Sequence, residues 1–187
     1  MQTRHYTVLL DCGDTIVDER TEVKDERGAS LRAELIPGAD LMVRGLVERG
    51  YRIGLVADGP SETFLNVLTQ HGLYDLFDAR AISEEVGVSK PDARMFTTAL
   101  DALGVRPHEY DRVVMVGNNL ERDIKGANEL GIVSVFLRWS TLRTWKAADA
   151  TEVPSHTIER PVDLLDLMDR LEREYTTRLR AATGDVR

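Results

Sequence analysis

Disulfide bonding within the chain is excluded at the outset: the 187 residues include one cysteine, Cys12. A lone thiol makes a reducing compartment the default expectation. Long apolar runs are also missing. The first, over 6–10, stops at Asp11, too short and too soon interrupted for a signal peptide or a membrane span. A cytoplasmic protein with no membrane partner is therefore expected. Positive charge is in short supply, with 24 Lys and Arg against 32 Asp and Glu and a net charge of −8. Such a surface repels a phosphate backbone, so no nucleic acid is expected as partner. A small anionic substrate held by a local positive site remains open. No Gly-x-Gly-x-x-Gly turn follows the first strand, which disfavours a dinucleotide-binding oxidoreductase, and the absence of any Gly-Lys-Ser/Thr excludes a P-loop enzyme.

What is present reads as one globular domain over 1–187, with 42% hydrophobic and 30% charged residues. Strand-length apolar runs at 6–10, 51–57, 79–82, 112–116, 132–137 and 155–158 alternate with amphipathic stretches at 41–49, 61–71, 91–103, 121–130 and 161–179. Gly50, Gly72, Gly104 and Gly131 follow four of these stretches, where they suit helix C-termini. Strands apolar on both faces, each followed by a helix, imply a mostly parallel sheet covered on both sides. The charge-dense stretch 18–34 has too few apolar residues to enter a core. It reads either as an exposed hairpin or loop near the ligand end of the sheet or as a merely solvated connection.

Ligands of open α/β sheets bind beyond the carboxyl ends of the strands. Asp11, Asp58 and Asn118 follow three of the strands at that edge, and Asp123 lies one helical turn after Asn118. Pro91 suits a first helical position, which would make Lys90 the N-cap. A cation is unfavourable at the positive end of a helix dipole, so a lysine there implies an anion to hold or a stem that carries its charge to water. Asp11, Gly13 and Asp14 crowd negative charge at a sharp turn. A hard divalent cation would relieve that repulsion, and so would a turn whose carboxylates bond local amides.

Four segments then coincide. Val8-Leu9-Leu10-Asp11-Cys12-Gly13-Asp14-Thr15 resembles the first motif of the haloacid dehalogenase-like (HAD) superfamily, Asp-x-Asp-Gly-Thr after an apolar strand. Ile53-Gly54-Leu55-Val56-Ala57-Asp58-Gly59 resembles the second. Ser89-Lys90-Pro91-Asp92 is similar to the third. Val116-Gly117-Asn118 through Asp123, with Ala127 and Gly131 beyond, resembles the fourth, Gly-Asp-x-x-x-x-Asp. The resemblance implies a Rossmann-like three-layer α/β sandwich with a mostly parallel sheet, and a Mg²⁺-dependent phosphatase. In that scheme Asp11 is the nucleophile that becomes an aspartyl-phosphate. Asp11, the Gly13 carbonyl, Asn118 and Asp123 hold Mg²⁺. Lys90 neutralises nucleophile and phosphate together, and positions 57 and 58, Ala57 and Asp58, bind the phosphoryl group.

Three positions depart from that pattern. Gly13 replaces the acid–base Asp, a loss worth ~10²–10⁴-fold, and Asp14 could substitute only if the loop turned it inward. Ala57 lacks the Ser/Thr hydroxyl, and Asn118 replaces a metal-binding acid. A weak phosphatase is expected, with a catalytically idle binding or scaffold protein as the alternative. A dehalogenase is disfavoured because no aromatic residue stands beside the nucleophile to hold a halide, and a response-regulator receiver because its lysine ends a strand. The stretch 18–37 is too short for a cap domain of ordinary size, so a minimal cap and an open site are expected. An open site suits a phosphorylated small molecule, a bulky phosphorylated substrate, or a cap supplied by another subunit. The far end of the last helix, 172–182, is the segment available for a homodimer.

Overall fold

A computed structural model describes residues 4–183; of the span 1–187, residues 1–3 and 184–187 lie outside the described part. The elements in chain order are β1 (Thr7–Leu10), β2 (Val23–Lys24), β3 (Ser30–Arg32), α1 (Ala39–Glu48), β4 (Arg52–Ala57), α2 (Ser61–Gln70), β5 (Ala79–Ile82) and α3 (Ser83–Val86). They continue with α4 (Ala93–Ala102), β6 (Val113–Gly117), α5 (Lys125–Glu129), β7 (Val133–Leu137), β8 (His156–Ile158) and α6 (Asp163–Thr183).

Six strands form one parallel sheet in the order β5-β4-β1-β6-β7-β8. β1 is central, with Leu10 in register with Leu55 of β4 and Val116 of β6. Side chains alternate across a strand, and each central strand feeds two cores. Val8 and Leu10, with Ile53, Leu55, Val114 and Val116, join a core with Met42 and Leu46 of α1, Phe64 of α2 and Met168 of α6. Leu9, Val56, Val113 and Met115 face the other way, against Met95, Phe96, Ala99 and Leu100 of α4. The result is the expected three-layer α/β sandwich. No described helix is long and apolar enough to cross a membrane.

Most element boundaries fall within one or two residues of those expected, but three local differences bear on the site. The helix expected over 91–103 begins at Ala93. Asp92 is its N-cap, accepting the main-chain N–H of Arg94 at 2.9 Å. Lys90 is therefore not a cap: Asp92 supplies the carboxylate that the orphan amides prefer, and Lys90 is free to turn into the protein. The stretch expected as a helix over 121–130 opens with one turn of π-helix, Leu120–Ile124, before α5. That wider turn follows from Asn119, whose side chain accepts the N–H groups of Glu121 and Arg122.

The third difference concerns 18–34. It carries the antiparallel pair β2–β3, yet it does enter a core: Ala29, Ser30 and Ala33 are buried. Polar side chains of α2 supply what apolar content does not. Thr63 Oγ1 accepts the Ser30 N–H at 2.9 Å, Asn66 donates to the Ser30 carbonyl, and Gln70 accepts the Ala33 N–H. A helix flank thus satisfies main-chain groups that an edge strand would otherwise expose.

At the far end of the sheet Glu172 of α6 is buried and fastens the start of β1. It accepts the His5 and Tyr6 main-chain N–H groups at 2.9 and 3.3 Å and contacts His5 Nδ1 at 2.8 Å. Glu172→Ala would leave those donors unpaired. Its expected cost is ~2–3 kcal/mol, with Glu172→Gln milder because its amide oxygen can still accept; urea unfolding of the two variants measures the difference.

Candidate active site

Asp11 follows directly on β1, and its main-chain N–H still pairs with the Val116 carbonyl at 3.0 Å. The strand ladder therefore places this carboxylate at the carboxyl edge of the sheet, where it is 8% exposed. Lys90 arrives from the loop before α4, with its side chain 2% exposed. Its ammonium donates to Asp11 Oδ1 at 2.7 Å and to the Val56 carbonyl at 2.8 Å. It also forms an ion pair with Asp123 Oδ1 at 2.7 Å, approached off the hydrogen-bonding direction. Thr15 Oγ1 donates to Asp11 Oδ2 at 3.3 Å.

Burial alone would lower the pKa of Lys90, but the carboxylates of Asp11, Asp123 and Asp58 outweigh it, and the pKa lies above the ordinary lysine value. Asp123 shows the converse. Burial raises it most, Lys90 pulls it down, Asp11 raises it again, and the result is about 7. Two carboxylates and one ammonium leave one uncompensated negative charge in a poorly solvated place.

Asp123 reaches this cluster because residue 117 is a glycine. A Cβ on Gly117 would lie 2.2 Å from Asp123 Oδ2, so any side chain there would displace the carboxylate. Asp123 Oδ2 accepts the Asn119 N–H at 3.0 Å. Both oxygens are thus engaged within the protein, as are both oxygens of Asp11, through Lys90 and Thr15. The other oxygen donors at the floor are the Asp11 carboxylate, the Gly13 carbonyl and the Asn118 amide. No three acidic, histidine or cysteine side chains form a cage among the described residues. The Asn118 side chain, in a residue 6% exposed, has no hydrogen-bond partner among them. An all-oxygen set of low charge with one unengaged amide oxygen fits a hard divalent cation, held weakly.

Asp58 lines the same cleft, but its carboxylate staples the site: Oδ1 accepts the Lys90 main-chain N–H at 3.0 Å, and Oδ2 pairs with Arg122 at 3.4 Å. Ala57 is fully buried in the core and is not part of the cleft wall. Asp14 is likewise withdrawn. It adopts φ 50°, is fully buried, and accepts the Glu19 main-chain N–H on Oδ1 at 3.0 Å, while Oδ2 is buried without a partner among the described residues. The inward turn that could have brought Asp14 to the acid–base place instead carries it into the loop interior. Its carboxylate anchors Glu19.

The cleft measures about 290 Å³. Its floor is Asp11, Gly13, Lys90, Asn118 and Asp123, and the β2–β3 hairpin forms one wall through Glu22, Lys24 and Ser30. Glu19, Arg122 and Arg143 complete the rim. Glu19 and Arg143 meet at 3.3 Å across 124 positions of chain. Burial and then Asp14 raise the Glu19 pKa from its ordinary value, with Arg143 opposing. Sequence reasoning missed Glu19, Arg122 and Arg143. Arg122 lies inside the fourth motif and could have been found there; the other two carry no local signal.

Residues 4–131 match the family model of haloacid dehalogenase-like hydrolases. A glyceraldehyde 3-phosphate phosphatase of Methanopyrus kandleri is 36% identical over 129 residues, which cover 69% of this chain and 54% of the relative. A phosphoserine phosphatase of Thermus thermophilus is 36% identical over 106 residues, covering 57% of this chain and 41% of the relative. The chain spans about half the length of the curated relatives it matches. Among solved structures, a HAD phosphatase from Thermococcus onnurineus superposes with a TM-score of 0.69 at 21% identity, covering 87% of this chain and 97% of the other. That degree of identity supports the fold alone.

Two substitutions test the cluster. Lys90→Ala should cost ~3–5 kcal/mol, because it leaves two buried carboxylates without their cation. Asp11→Asn removes charge instead and should cost much less, so chemical denaturation will separate the two. Asp14→Ala should lose ~1–3 kcal/mol through the unpaired Glu19 amide, read in the same experiment.

Proposed function

The chain belongs to the haloacid dehalogenase-like hydrolase family, and from that premise we propose that it is a phosphatase of small phosphate monoesters, acting through an aspartyl-phosphate on Asp11. The observation that carries the reading is the 2.7 Å contact of the Lys90 ammonium with Asp11 at the floor of a cleft. An anionic nucleophile and an anionic substrate repel each other, and a buried cation against the nucleophile offsets that repulsion where both must meet. Lys90 is held by three oxygens, from Asp11, Val56 and Asp123. It is therefore already oriented and costs little to reorganise when charge shifts to the phosphoryl oxygens.

Attack by an Asp11 oxygen on phosphorus displaces the substrate alcohol, and hydrolysis of the acyl phosphate then returns the carboxylate. Asp11, the Gly13 carbonyl and the Asn118 amide oxygen would hold Mg²⁺, which when bound supplies positive charge against the phosphoryl oxygens. Ala57 offers no hydroxyl, so the main-chain amide of Asp58 is the donor left to that edge of the phosphate. The cleft volume favours a small substrate over a bulky one, and the names of the relatives, both phosphatases, point the same way.

Hydrolysis of an aryl or acyl phosphate with Mg²⁺ and with EDTA, on wild type and Asp11→Asn, tests the proposal. Turnover should require both the metal and Asp11. Equal rates in the two proteins, with the fold intact, would leave the idle binding protein as the reading. Asn118→Asp should restore a ligand charge and tighten Mg²⁺ on the order of tenfold, measured by isothermal titration calorimetry without substrate.

A further inference from the structure

We propose that Glu19 is the acid–base group of this site, its carboxylate occupying the space that Gly13 leaves open. This rests on the phosphatase reading above and adds to it the identity of the proton carrier.

A Cβ built on Gly13 would lie 2.2 Å from Glu19 Oε1, 3.0 Å from Cδ and 3.1 Å from Cγ. The end of the Glu19 side chain therefore fills the volume in which a side chain two residues after the nucleophile would begin. With Glu19 seated as it is, a side chain at position 13 would have to displace its carboxylate.

The loop holds Glu19 there. Its main-chain N–H is fixed by Asp14 Oδ1 at 3.0 Å, and the Asp18 N–H is fixed by the Glu34 carbonyl at 2.9 Å. Arg143 donates to Oε2 at 3.3 Å, which leaves Oε1 toward Gly13 with no hydrogen bond among the described residues.

The other carboxylates of the cleft are committed on both oxygens. Asp58 accepts from Lys90 and Arg122, Asp123 is ion-paired with Lys90 and accepts the Asn119 N–H, and Glu22 accepts from Ser30 and is ion-paired with Lys24. Apart from these and the nucleophile, Glu19 alone among the described residues brings an unengaged carboxylate oxygen to the cleft.

The proton cycle closes on this one group. As Asp11 forms its bond to phosphorus and the bond from phosphorus to the substrate oxygen breaks, the Glu19 carboxyl gives its proton to the leaving oxygen, which departs as an alcohol. The Glu19 carboxylate then takes a proton from water as the water oxygen attacks phosphorus. The bond to Asp11 breaks, inorganic phosphate leaves, and Glu19 is again protonated.

Wild type, Glu19→Gln, Gly13→Asp/Glu19→Ala and Asp11→Asn, each with Mg²⁺, are compared on an alkyl phosphate and on acetyl phosphate. Glu19→Gln should slow alkyl phosphate hydrolysis by ~10²–10⁴-fold. It should still be phosphorylated by acetyl phosphate, whose leaving group needs no proton, and phosphorylated Asp11 should accumulate in intact-protein mass spectra. The double variant should return alkyl phosphate turnover to within about tenfold of wild type, which a merely structural role for Glu19 does not predict. The proposal is overturned if Glu19→Gln matches wild type on the alkyl phosphate, or if it loses both substrates equally with no phosphorylated protein. If wild type and Asp11→Asn do not differ on either substrate, the phosphatase reading itself fails and Glu19 falls with it.

Discussion

A single buried ammonium organises this molecule's working end. Lys90 is bonded or paired to oxygens from three different strand ends: Asp11 after β1, Val56 within β4, and Asp123 in the turn after β6. Such a charge is tolerated away from water only because those oxygens replace its hydration. The dependence runs both ways, since among the described residues neither buried carboxylate is paired with another cation. Main-chain direction is enlisted as well: Asp58 receives the Lys90 N–H, so the segment before α4 is held at the sheet edge by backbone and side chain together.

Two glycines make room for this arrangement, and they do so differently. Gly117 lets the Asp123 carboxylate fold back against the strand end, completing the charge cluster. Gly13 admits the Glu19 carboxylate from the turn six residues further on. In both cases an absent side chain is matched by one supplied from elsewhere. A residue that looks like a loss along the chain can thus be an exchange in space, with the function of one position transferred to another.

The hairpin between β1 and α1 shows how a short, charged insertion becomes a wall. It has little apolar surface to bury, yet α2 gives its main chain the hydrogen-bond partners it needs, and Ala29 and Ala33 close the contact. Its polar residues are left facing the cleft. One wall of the pocket is therefore polar, with Glu22 and Lys24 paired to each other, and Arg122 and Arg143 on the rim add positive charge.

The sheet, its two apolar faces and the placement of Asp11, Asp58 and Asn118 at strand ends were legible in the chain, because period-two and helical periodicities are local and strong. Lys90 was also legible, although the physical reason for it was not: the helix cap is Asp92, and the lysine answers to two buried acids instead. Asp14 and Asp123 were legible as acids near the site, but not in their direction. A π-turn and a left-handed φ turn them, and those depend on hydrogen bonds to Asn119 and Glu19 rather than on residue type. Arg143 lies far from the motifs, and Glu19, only four residues past the first of them, lies far from Arg143 along the chain, so no spacing rule joins the two. Local pattern determined which elements form and which strand ends carry oxygen. Only the folded chain decided which carboxylate faces the cleft, because that choice is made by steric room and charge balance among residues that meet nowhere but in space.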